Sequence, residues 1–75
     1  MKTDVDVDVR GLNCPLPILR ARKALNGMQS GQTLRLVATD PGSAQDFKLF
    51  AEQTGHALLE LSETGGEYTI LLRKA

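Results

Sequence analysis

The chemistry this chain can do gathers at Cys14, its only cysteine, within Gly11-Leu12-Asn13-Cys14-Pro15-Leu16-Pro17. An alternating stretch, Asp4 to Val9, precedes the segment and a helix-period pattern follows it, so Cys14 belongs to neither buried set. A thiol at such a strand-to-helix junction meets outward-pointing N–H groups and the positive end of a helix dipole. Held partly as thiolate, it attacks sulfur and carbon electrophiles. The competing reading is a buried structural cysteine. Pro15 and Pro17 stiffen the turn and remove amide donors, leaving the sulfur fewer N–H partners than at an ordinary helix start. Arg10, at the end of the preceding strand, is either a stabilising charge for the sulfur or a solvated strand-end residue.

The partners that other thiol chemistries need are missing. A cysteine hydrolase requires a histidine base held by a third group. The one histidine, His56, follows Gly55 at the far end of the second helix and reads as a solvated turn residue. A dithiol oxidoreductase needs a second cysteine, a metal site needs a fuller ligand set, and no GxGxxG or P-loop is present. What remains is covalent carriage. An acceptor thiolate takes the outer sulfur of a persulfide by the exchange chemistry of disulfides. A neighbouring cysteine would close a disulfide and release the sulfide, so a solitary thiol suits this chemistry.

The elements that must position Cys14 follow from the apolar pattern. Val5, Val7 and Val9 alternate with Asp4, Asp6 and Asp8, a strand with one buried face whose acids look at water and discourage edge pairing. Ile18, Ala21, Leu25 and Met28, with Ala24 beside them, form one helical stripe that ends at Asn26-Gly27. Two starts for that helix are open: Cys14 as cap with Pro15 first, or Leu16 as cap with Pro17 first. Thr33 to Thr39 is a second strand. Asp40-Pro41-Gly42 breaks it, and Ser43 with Asp46 reads as a capping-box variant opening a second helix. The inner face of that helix is Ala44, Phe47, Phe50, Ala51 and Thr54. Ala57, Leu59 and Leu61 alternate along a third strand, and Tyr68, Ile70 and Leu72 return after Thr64-Gly65-Gly66 as a hairpin. Val37, Leu58 and Leu71 fall on the other sheet face.

The order is βαβαββ. Right-handed crossovers put both helices on one face of a four-stranded mixed sheet, an α+β two-layer sandwich in a single domain, 1–75. The C-terminal ends of the first two strands then share one edge with both helix N-termini, the edge ligands favour in open sheets. A chain of 75 residues has no room for a deep cavity, so its chemistry belongs at the surface.

Taken together, Asp8-x-Arg10-Gly11-Leu12-x-Cys14-Pro15-Leu16-Pro17, Arg22-Lys23 and Asp40-Pro41 resemble the TusA/SirA-like family of sulfur carrier proteins. The likeness extends to Asp46, Gly55 and Arg73-Lys74. It implies that Cys14 bears a persulfide, with Pro15, Pro17, Arg10 and Gly11 in support, no bound cofactor or metal, and little or no turnover of its own. It implies a cysteine desulfurase or rhodanese-type donor and a DsrE-like acceptor, serving tRNA 2-thiouridine synthesis, molybdenum cofactor formation or sulfur oxidation. Arg20, Arg22 and Lys23 are then a docking surface for an acidic partner, and Asp40 and Asp46 part of the contacted rim. Each also has a plain structural role, as solvated helix charge, turn residue or capping acid.

Two other classes compete. One is a regulatory or RNA-binding module, against which stand zero net charge and only three aromatic residues, two Phe and one Tyr. The other is a thiol redox sensor, in which Cys14 is oxidised to sulfenic acid or a mixed disulfide. With no apolar leader or membrane-length run, the expectation is a cytoplasmic monomer that binds neither membrane nor nucleic acid.

Overall fold

The structure, a computed structural model, describes residues 3–75; Met1-Lys2, part of the start read as lacking a leader, lie outside the described residues. The six elements are β1 (Val5–Val9), α1 (Leu16–Asn26), β2 (Thr33–Ala38), α2 (Ser43–Thr54), β3 (Ala57–Thr64) and β4 (Glu67–Arg73). The sheet order is β1-β2-β4-β3, with β1 and β2 parallel and the other pairings antiparallel. Both helices cover one face, as the crossover rule requires. No described helix is long and apolar enough to cross a membrane.

The alternation in β1 and β2 works as a period of two demands. Val5, Val7 and Val9 pair with Leu34, Leu36 and Ala38 on the covered face, while Asp6 and Asp8 stand exposed on the other. Ile70 and Leu72 continue the covered row across β4, and Phe47 and Leu25 close it from the helices, all fully buried. Phe50 packs edge-on to Phe47 with ring centroids 6.2 Å apart. Aromatic pairs prefer this geometry.

Three local expectations are corrected. In β3 a bulge separates Leu58 from Glu60 in the pairing with β4. One extra residue flips the side-chain alternation. Leu58 and Leu61 therefore pack on the core, and Leu59, expected inside, is 37% exposed. On the uncovered face, Leu71 is only 6% exposed, set between Arg35 and Glu60 of its neighbouring strands. The third correction is at α2, whose cap is Gly42 rather than Ser43. The Asp40-Pro41-Gly42-Ser43 turn closes through the Ser43 N–H to the Asp40 carbonyl, 3.0 Å. Ser43 is thereby drawn into the first helical position, 1% exposed, with its hydroxyl unpartnered.

Candidate functional site

Cys14 stands on the predicted edge. At the end of β1, Gly11 adopts φ +80°, a conformation that glycine enters without a Cβ clash, and the Leu12 N–H reaches the Val9 carbonyl at 3.3 Å. The Gly11 N–H donates to Thr39 Oγ1 at 2.8 Å, tying this loop to the end of β2. Leu12 packs against the core below, and the next residues, Asn13 and Cys14, are exposed. The Leu16 N–H then bonds the Asn13 carbonyl at 2.8 Å, closing a turn around Cys14 and Pro15, whose peptide bond is cis.

The helix start lies between the two alternatives. Pro15 is the cap, Leu16 the first helical residue and Pro17 the second. Of the four N–H positions an ordinary helix start leaves free, two here are prolines and one, Leu16, is spent on Asn13. Ile18 alone retains an unspent amide. The expectation that the first turn holds Cys14 as thiolate therefore fails. Its pKa is raised above the ordinary thiol value, above all by the neighbouring Asp46 carboxylate, which favours the protonated sulfur. Partial desolvation adds to this, as do the negative charges of Asp46 and Asp40.

Cys14 and Asp46 share a hollow between α1 and α2, lined also by Pro15, Ile18, Arg22, Leu49, Phe50 and Gln53. Arg22 lies over the Phe50 ring, 5.3 Å from its centroid, so its guanidinium is held along the apolar wall. Arg20 and Lys23 are exposed on the same helix. Arg10 is drawn elsewhere. It donates to both carboxylate oxygens of Asp8 at 2.9 Å, lies 3.6 Å from Glu67, and lines a hollow on the uncovered sheet face. His56 is more than a solvated turn residue. Its Nδ1 accepts the Ala75 N–H at 3.0 Å and its ring lies 6.0 Å from that of Phe50. Leu19, Leu49 and Gln53 carry no motif. The only sequence signal for the two leucines is that they lie off the buried stripes; Leu49 lines the hollow of the thiol, and Leu19 is exposed with Leu16 on the first turn of α1 that follows it.

An accessible lone sulfur on a cysteine–proline turn, at one edge of a βαβαββ sandwich, is the arrangement to set beside known proteins. The family model for the sulfurtransferase TusA matches residues 5–74. The chain belongs to the TusA family. It is 57% identical over 72 residues to the sulfur carrier protein TusA of Allochromatium vinosum, covering 96% of this chain and 95% of that one. A putative sulfur carrier protein of Neisseria meningitidis is 54% identical over 67 residues, 89% of this chain and 90% of its own. Among solved structures, the SirA-like protein of Desulfitobacterium hafniense superposes with a TM-score of 0.80 at 27% identity, covering 92% and 95% of the two chains. The four-stranded mixed sheet with two helices is thus the family's fold. Family membership also makes the chain a sulfur carrier, the role that the lone thiol had left as the remaining chemistry.

Proposed function

We propose that Cys14 is the residue that carries the sulfur, as a persulfide, between a donor and an acceptor protein. The observation that supports this most is a single exposed thiol, the chain's only one, in the Cys-Pro-x-Pro turn of a TusA-family sandwich. Loading joins the donor's outer sulfur to Cys14 and breaks the donor's sulfur–sulfur bond, and the donor leaves as a thiol. Unloading repeats this with the acceptor thiolate attacking. No cofactor enters either step.

The surface around the thiol suits visiting proteins. Leu16, Leu19 and Leu49 offer apolar contact, and Arg20, Arg22 and Lys23 complement an acidic partner. A cysteine desulfurase or rhodanese-type donor and a DsrE-like acceptor fit this chemistry, in the cytoplasm and with the carrier monomeric. The high thiol pKa weighs against a peroxide sensor, because sensing cysteines are low-pKa thiolates.

Incubation with a cysteine desulfurase and cysteine is expected to add one sulfur mass to the protein, removable by dithiothreitol. Cys14→Ser is expected to fold with an unchanged melting temperature and gain nothing. Sulfur found on that variant would overturn the assignment.

A further inference from the structure

Asp46 lacks the local role its position implies. With Ser43 as cap Asp46 would be the acid that reaches back to the helix start, but with Gly42 as cap it is the fourth helical residue, one past that position, and α2 has no side-chain cap bond. The turn that draws Ser43 inward leaves the Asp46 carboxylate free to cross to the neighbouring loop, into the hollow that holds Cys14. It is not alone there. A Cβ built on Gly42 would stand 3.6 Å from Asp46 Oδ2 and 3.5 Å from Asp40 Oδ2, so the two carboxylates converge over a residue without a side chain. From α2 the charge in the hollow is Asp46, with Asp40 acting on the thiol from the preceding turn. From α1 it is Arg22, which is seated on Phe50.

We propose that Asp46 is a positioning residue of the carrier: its carboxylate, set in the same hollow as the sulfur and beside that of Asp40, gives Cys14 an acidic wall that holds it as a thiol while no partner is docked. This rests on the reading of Cys14 as the sulfur-bearing residue. An exposed thiolate would react with any peroxide or alkylating agent, whereas an exposed thiol is far slower. The carrier is thereby accessible to partner proteins yet quiet toward solution. The direction of the thiol's titration agrees with the geometry.

The experiment is the pH profile of Cys14 alkylation by iodoacetamide. Asp46→Asn is expected to move the midpoint to lower pH and to speed alkylation at pH 7, on the order of tenfold per pH unit of displacement. Asp40→Asn should move it the same way by less, and Asp46→Glu, which keeps a carboxylate, should restore most of the wild-type profile. A residue that merely supported the fold would alter the melting temperature without moving the midpoint. Should Asp46→Asn fail to fold, native and urea-unfolded wild type replace it, with the native midpoint expected to be the higher. An Asp46→Asn profile that coincides with wild type or lies at higher pH overturns the proposal, as does a native midpoint at or below the unfolded one. Sulfur loading is scored separately by mass, so loss of the carrier reading and loss of the Asp46 role give different results.

Discussion

The uncovered sheet face and the Cys14 edge both carry charged residues around a hollow, but their charges are satisfied differently. On the sheet face Asp8 pairs with Arg10, Arg10 also approaches Glu67, and Arg35 lies 3.6 Å from Asp6. At the Cys14 edge and along α1 no ion pair among the described residues involves Arg20, Arg22, Lys23, Asp40 or Asp46. Leucines are arranged oppositely too. The sheet face covers Leu71, whereas the edge exposes Leu16, Leu19 and Leu49. A net charge of zero therefore conceals one face whose charges are paired with each other and one edge whose charges form no ion pairs and whose leucines stay exposed. Groups already paired with each other gain little from a partner, and groups left open gain more.

The largest test of this contrast strikes what the two regions share. Phe47→Ala removes a fully buried ring beneath both and is expected to cost about 3–5 kcal/mol, read as the loss of urea-unfolding free energy. Next, Leu71→Ala is expected to cost about 2 kcal/mol and Leu19→Ala less than about 0.5 kcal/mol. Persulfide transfer to a partner should rank them the other way, slowed by Leu19→Ala and not by Leu71→Ala. The reverse order in either measurement would break the comparison.

A smaller effect concerns the tie between His56 and Ala75. Nδ1 must be unprotonated to accept that N–H, and desolvation, then Lys74, then Arg22, depress the imidazole pKa below its ordinary 6.5. The unfolded chain therefore binds the proton first. This part of the stability is complete above pH 6.5 and is lost as pH falls through the lower folded value. His56→Gln should flatten the melting temperature between pH 7 and 5 relative to wild type, and an equal slope in both proteins would exclude the linkage.

The smallest effect is expected at the paired face. Asp8 titrates at about 2 because the Arg10 side chain and backbone N–H both donate to its carboxylate. Arg10→Gln should return it toward the ordinary carboxylate range, measured by carboxyl NMR shifts. With both side chains solvent-screened, the urea midpoint and the Cys14 alkylation rate should stay unchanged. A changed alkylation rate would connect the two faces and undo their separation.

The fold was largely legible because its signals are local and repeated. Three valines at period two, a helical stripe from Ile18 to Met28, and glycine punctuation at 27, 55, 65 and 66 each specify an element. Cys14 was legible for the same reason, as the one residue between two buried patterns. Less visible were features that depend on a single inserted or displaced residue. Nothing in Ala57-Leu58-Leu59 announces a bulge, because either leucine serves as the inward one. Ser43 and Asp46 have the composition of a capping box, yet the preceding turn decides which residue caps.

By itself the sequence determined the element order, the covered face, the solitary nucleophile and the family, all properties of patterns along the chain. Tertiary structure alone decided the electrostatics of that nucleophile. Proximity to a helix start promised an anion, but the prolines and the Asn13 carbonyl remove its amide donors, and a carboxylate arrives from a helix more than thirty positions away. Charge acts through space, and only folding says which charges are near.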